Sequence, residues 1–205
     1  MASHRIYLQD AEFEAQSLLV IEGDEAEHAV RVKRLRPGDA VEILNGRGDI
    51  AHAKLEDQDS GSGVEEGRGR RSGRACRLRV ERVTTVQPVR PALDVCTATP
   101  KGQRVDELIE GLCQVGAAAW TPLHAERSIV DPRPSKLERL ERLSVEASKQ
   151  CGRAWRMRIN PGIRFAEVRA ASSSDRLVIA DASGEVFVPR AVESCLLYTS
   201  PSPRD

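Results

Sequence analysis

The strongest constraint on this chain's fold is a strand–helix–strand run that starts at Leu93. Leu93–Ala98 (LDVCTA) is a short apolar run of strand length. Residues 104–115 follow, with apolar side chains at Val105, Leu108, Ile109, Leu112 and Cys113. That spacing makes one apolar stripe on a helix, and Gly116 is placed to stop it. Ala117–Pro122 then reads as a second strand. A second helix is expected over 136–150, capped by Ser135 with Glu138. Leu140, Leu143 and Ala147 would bury one side of it, and Glu138 would pair with Arg142. Arg176–Ala180 (RLVIA) reads as a third strand. Strands alternating with helices predict a parallel α/β sheet. About three strands are legible, too few for a complete fold of this kind.

The preceding residues have a different rhythm. Arg5–Leu8 and Leu18–Ile21 read as short strands, and Asp24–Glu27 as the start of a helix reaching about Arg34. Arg36–Asp39 is a turn. Asn45-Gly46-Arg47-Gly48 lies between Ala40–Leu44 and Asp49–Leu55, a strong hairpin signal. In Ala75–Val83, Cys76, Leu78 and Val80 are expected to face inward, and Arg77, Arg79 and Glu81 outward. The result is a small β barrel or sandwich with one helix. Residues 57–73 (DQDSGSGVEEGRGRRSG) are a low-complexity loop within it. Residues 1–84 form this first domain, 85–91 a linker and 92–194 the second domain.

Aromatic residues make up only 3% of the 205 residues, so the cores must rest on Val, Leu, Ile and Ala. No apolar run approaches the roughly 20 residues that span a bilayer, and the first five residues lack a signal peptide's apolar core. A soluble, cytoplasmic protein without membrane contact is expected. The five cysteines are dispersed with no C-x-x-C pair, which speaks against a structural metal site. Net charge is zero but unevenly spread. Residues 68–90 hold eight Arg and one acid, and residues 133–164 hold nine Lys or Arg against three acids. RNA or DNA is the leading partner for such segments. The alternative is an Arg-rich composition without a ligand.

Candidate functional residues are polar and basic. His28, Arg31 and Arg34 fall near one helical face, and Arg5 lies on the first strand of the same domain. They form either a phosphate-tracking patch or a solvated surface. Arg127 follows the strand ending at Pro122, and loops after parallel strands are where α/β proteins bind ligands. Glu146, Gln150 and Arg153 are spaced i, i+4, i+7, which puts them on one face of the second helix. They form a surface salt-bridge stripe, or a polar network supporting a site or a dimer contact.

His28-Ala29-Val30-Arg31, Pro37-Gly38-Asp39, Asn45-Gly46-Arg47-Gly48, Lys101-Gly102-Gln103-Arg104, Gly116, Pro122-Leu123, Glu126-Arg127-Ser128 and Glu146-Ala147 with Gln150 and Arg153 occur in a telling order. Together they resemble the 16S rRNA (uracil-N3) methyltransferase family of the SPOUT, or α/β-knot, superfamily. The resemblance implies an α+β chain: an N-terminal PUA-like β barrel that binds RNA, then part of a knotted α/β domain that binds S-adenosylmethionine and dimerises. It implies methylation of a uridine at N3 in 16S rRNA of the small ribosomal subunit. Arg127 is the implied catalytic residue. Arg5, His28, Arg31 and Arg34 are the implied RNA contacts, and Glu126, Glu146, Gln150 and Arg153 the implied supports. Two other readings stay open, a non-catalytic RNA-binding module and a structural α/β protein.

The chain departs from the family pattern in two places. Gly111-Leu112-Cys113-Gln114-Val115-Gly116 stands where the family has Lys-Ala-Thr-Glu-Leu-Gly. The family's Gly-Pro-Glu-Gly-Gly loop, which cradles the methyl donor, is expected beyond residue 194. Residues 195–205 (CLLYTSPSPRD) instead match the translation of a transposase sequencing adapter, and no fold element is expected in them.

Overall fold

The computed structural model describes residues 4–27, 29, 35–59, 75–124, 132–171, 177–180 and 196–199. The chain divides into two compact units, Met1–Gln87 and Pro88–Asp205.

The first unit is a five-stranded sheet in the order β1-β3-β4-β5-β2. Its strands are β1 (His4–Tyr7), β2 (Leu18–Glu22), β3 (Ala40–Leu44), β4 (Asp49–Asp59) and β5 (Ala75–Thr85). The β1–β3 pair is parallel and the other pairs are antiparallel. Helix α1 (Asp24–Glu27) begins the predicted helix; residues 28 and 30–34 lie outside the described residues. On β5, Cys76, Leu78 and Val80 are buried and Arg77, Arg79 and Glu81 exposed, as the alternation predicts. They join Ile6, Ile21, Ile43 and Leu55 in one core. The hairpin forms around Asn45, which is buried. Its Oδ1 accepts from the backbone N–H groups of Arg47 and Asp49, and its Nδ2 donates to the Ala11 carbonyl and Asp49 Oδ2. One amide thereby satisfies four groups that the turn would leave open. Strand β5 continues to Thr85, past the predicted end at Val83.

The second unit holds β6 (Asp94–Thr97), α2 (Arg104–Val115), β7 (Ala119–His124), α3 (Pro134–Cys151), β8 (Arg158–Ile159), β9 (Ile163–Arg164), α4 (Phe165–Ala171), β10 (Leu177–Ala180) and β11 (Leu196–Thr199). Its strand order is β10-β11-β6-β7-β8, with β9 also on β7, and every pairing is parallel. Val95, Trp120 and Ile159 share a core with α2 and α3. Cys96 and Leu123 share a second cluster with Val168 of α4. Successive strand residues point to opposite faces, so helices cover both sides of the sheet. Trp120 is fully buried, and its indole N–H donates to Thr97 Oγ1 at 3.0 Å, which settles the polar atom of an otherwise apolar anchor.

Four expectations change here. The sheet has more than three strands, because β8 and β9 are two residues each and too short to leave a periodic signal. A strand also forms at Leu196–Thr199, where no element is expected; it fills the slot between β10 and β6. Helix α3 starts at Pro134, not through a Ser135–Glu138 box: Arg133 is the N-cap and no side chain caps it. Proline suits a helix's first position because its missing N–H would be unpaired there anyway. Glu138 and Arg142 form no ion pair with each other among the described residues; Arg139, between them, instead grips Asp106 of α2 with two hydrogen bonds of 2.8 and 2.6 Å.

Candidate functional site

In a parallel sheet the strand carboxyl ends share one edge, and ligands bind in the crevice outside it. Here that edge is formed by Thr97, His124, Ala180 and Thr199. Residues 125–131, 181–195 and 200–205 follow three of these strands and lie outside the described residues. Glu126 and Arg127 are among them. The fourth loop, 98–103, joins β6 to α2 and is described in full.

That loop carries an unusual atom. Thr99 is buried, and its Oγ1 has no hydrogen-bond partner among the described residues. Buried hydroxyls are paired in the large majority of cases, and an orphan costs roughly 1–3 kcal/mol. Lys101 and Arg104 follow, both exposed and neither in an ion pair among the described residues. Gln103, the N-cap of α2, supplies no side-chain cap. The loop thus carries a shielded hydroxyl and, two and five residues on, two exposed cations, residue types that suit a nucleoside- or nucleotide-bearing ligand.

At the end of β7 the His124 ring rests against Gly162. A Cβ on Gly162 would collide with the His124 imidazole, so any larger residue there would have to displace that ring. Deeper in the sheet, Thr121 Oγ1 donates to Asp94 Oδ1 at 3.0 Å. Asn160 Nδ2 donates to Thr121 Oγ1 at 2.9 Å and to Asp94 Oδ2 at 3.3 Å. The trio pins the chain where it passes from β8 to β9, and so sets the position of Gly162. Burial raises the Asp94 pKa against the opposing bond from Thr121. The neighbouring Cys96 thiol is pushed up to about 11, mainly by burial, and is an inert core thiol. These partners are 27, 39 and 66 residues apart, and no local pattern announces them.

The predicted polar stripe does not form as one helical face. Helix α3 ends at Cys151, and Gly152 turns the chain with a left-handed φ of 73°. Arg153 therefore lies past the helix and folds back onto α2. Its guanidinium donates to the carbonyls of Gly116 at 3.1 Å and Cys113 at 3.4 Å. Those carbonyls close the negative end of α2, which favours a cation. Burial lowers the Arg153 pKa, the usual cost of holding a charge away from water. Glu146 is exposed and pairs with the buried Lys149 at 2.6 Å, and Gln150 is exposed.

In the first unit, Arg5 Nε donates to Glu42 Oε2 at 2.9 Å. Strand register carries the row onward from Glu42 to His52 and from His52 to Arg82. His52 Nδ1 lies 3.3 Å from Arg82 Nη2 and 4.0 Å from Glu42 Oε1, and Nε2 lies 3.3 Å from Thr84 Oγ1. Lys54 pairs with Glu81, Arg77 with Asp57 and Arg79 with Glu56. Much of the positive charge expected on β5 is therefore answered across the hairpin. His28, Arg31 and Arg34 lie outside the described residues. No group of three or more His, Cys, Asp or Glu that could hold a metal occurs among the described residues. No helix among them is long and apolar enough to cross a membrane.

Comparison with known proteins bears on both units. An RNA methyltransferase domain family matches residues 87–197, and an RNA methyltransferase PUA domain family matches residues 21–62. Ribosomal RNA small subunit methyltransferase E of Synechocystis is 31% identical over 125 residues, covering 61% of this chain and 37% of that protein. The protein of the same name from Mycobacterium bovis is 31% identical over 146 residues, covering 71% of this chain and 51% of its own length. The chain thus spans about half or less of the curated relatives it matches. Among solved structures, a Legionella pneumophila methyltransferase in complex with SAM superposes with a TM-score of 0.78 at 22% identity, covering 98% of this chain and 81% of that one. The Neisseria gonorrhoeae ribosomal RNA small subunit methyltransferase E bound to S-adenosyl methionine gives 0.77 at 18%, covering 97% and 78%. At those identities the likeness is one of fold.

Proposed function

From the premise that this chain belongs to the RNA methyltransferase family, as a member like ribosomal RNA small subunit methyltransferase E, we propose that its protein methylates a uridine of 16S rRNA at N3 with S-adenosylmethionine. The observation that carries this reading is the family match over residues 87–197, preceded by the PUA match over 21–62. The first domain (1–84) would hold RNA through Arg5, His28, Arg31 and Arg34. Residues 85–91 would link it to the methyl-transfer domain (92–194). The protein would act as a cytoplasmic homodimer on the small ribosomal subunit, and 195–205 would be adapter-derived.

Uracil N3 lies on the Watson–Crick edge, so the base must be unpaired before it can react. N3 gives up its proton to a base, and its electron pair forms the new bond to the methyl carbon as the carbon–sulfur bond breaks and its electrons return to sulfur, leaving S-adenosylhomocysteine. Bound S-adenosylmethionine supplies a methyl already activated by a positive sulfur. Negative charge gathering on O2 and O4 calls for a fixed cation or N–H donor. Arg127, three residues past the end of β7 at His124, would fill that role. Glu126 would support it, and Glu146, Gln150 and Arg153 would support the domain that carries it. Holding both reactants in line supplies much of the rate. The residues that grip the donor are expected beyond 194.

The test is to incubate the complete gene product with S-adenosylmethionine and undermethylated small ribosomal subunits, then digest the RNA and analyse its nucleosides by mass spectrometry. 3-Methyluridine is expected, and Arg127→Ala should lower kcat with little change in RNA affinity. RNA binding without any methylated nucleoside would instead support the non-catalytic RNA-binding reading.

A further inference from the structure

The loop from Thr99 to Arg104 is absorbed by none of the roles above, yet it occupies the carboxyl edge beside β7. We infer that this loop binds a nucleotide of the RNA strand: Lys101 and Arg104 hold its phosphate, and Thr99 Oγ1 hydrogen-bonds its sugar or base. The inference rests on the proposed reading of the protein as an RNA methyltransferase.

Three observations converge. First, Thr99 is only 8% exposed and its hydroxyl has no partner among the described residues. A shielded hydroxyl left unpaired calls for a polar atom brought by something that binds. Second, Lys101 and Arg104 have no carboxylate partner among the described residues, whereas Arg139, Lys149 and Arg164 of the same unit each have one. The nearest acid, Asp106, is already committed to Arg139, which holds its pKa below the usual carboxylate range. Glu107, also in that first turn, is exposed and opposes the cations only through solvent. Third, the N-terminus of the twelve-residue α2 opens at this loop, and Gln103 leaves it without a side-chain cap. First-turn N–H groups lack intrahelical acceptors and carry partial positive charge, which favours an anion there. A phosphate meets the cations and the helix end together, and the sugar or base attached to it brings the partner that Thr99 lacks.

The ligand is assigned to the RNA strand and not to the methyl donor, because S-adenosylmethionine has no phosphate and its sulfonium would face two cations and the positive end of α2.

The test uses the complete gene product and a fluorescein-labelled single-stranded RNA taken from the small-subunit sequence around the substrate uridine. Anisotropy titrations at several salt concentrations give the affinity and its salt slope. The Lys101→Ala/Arg104→Ala double variant should bind several-fold more weakly. Its slope should be shallower by about 0.7, the value for the one single-strand phosphate that the variant leaves unneutralised. Thr99→Val should weaken binding several-fold while Thr99→Ser restores it, a split that a packing role for the side chain would not produce. Calorimetric affinity for S-adenosylhomocysteine should stay unchanged in all variants. Unaltered RNA affinity and slope in the variants, with wild type binding normally, overturns the inference and leaves the methyltransferase reading standing. Weakened S-adenosylhomocysteine binding with intact RNA binding also overturns it, because the anion would then belong to the donor. A wild type that fails to bind RNA overturns the parent reading as well.

Discussion

Arg153 follows α3 but acts on α2. Its i+7 offset from Glu146 places it on a helical stripe only if the helix continues, and Gly152 ends the helix first. What the side chain does is close the carbonyl end of α2. Hydrogen bonds to charged groups contribute roughly 1.5–3 kcal/mol, so Arg153→Met, which keeps most of the stem, should cost about that much in urea unfolding. Arg153→Lys should recover part of the loss. Asp94 makes the opposite kind of prediction. Its folded pKa is raised by burial above the ordinary value of 3.8. Between 3.8 and that higher value the folded chain keeps a proton the unfolded chain releases, so stability falls as pH rises across the window. A carboxyl-carbon NMR titration should give Asp94 a midpoint above 3.8, and Asp94→Asn should flatten the pH dependence there.

Helix α2 shows what could be read from sequence at the scale of an element. Its range, 104–115, and its stop at Gly116 follow from the apolar stripe and the glycine, and Val105, Ile109 and Cys113 are its buried residues. The start of α3 could not be read the same way. Ser135 and Glu138 match a capping box as letters, but Pro134 starts the helix one residue earlier and the box has no cap to make. The predicted Glu138–Arg142 pair is absent among the described residues, and both side chains are exposed, where an ion pair gains little. Arg139 reaches Asp106 with two bonds and lowers its pKa. That pair is mostly exposed, and exposed pairs contribute about 0–1 kcal/mol. Arg139→Ala should therefore lower the urea midpoint only slightly, and less in high salt. Any contribution is present above the ordinary Asp pKa and lost as pH falls through the depressed one.

For the whole molecule, two units were legible because periodicity changes from two to 3.6 across Thr84–Pro91. The ionic ladders of the first unit and the polar trio of the second were not, since their members meet only through strand register. Each unit has its own core, so each should have its own unfolding transition. Both tryptophans, Trp120 and Trp155, fall in the second unit, which makes their fluorescence a reporter for it alone. Ile109→Ala should lower the fluorescence transition by about 2–5 kcal/mol, and Leu78→Ala should leave it in place while shifting the circular-dichroism transition of the first unit by a similar amount. One merged transition unmoved by either choice of unit would contradict this.

The strand at Leu196–Thr199 has a consequence for where the chain can be cut. It sits between β10 and β6 and pairs with both through its backbone. Any extended segment can meet that need, which is why residues that match an adapter translation can fill the slot. Without residues 195–205 the facing edges of β10 and β6 would have no backbone to pair with, and an unpaired edge is a template for another chain. A chain ending at Ser194 should therefore scatter more light at equal concentration than the 205-residue chain.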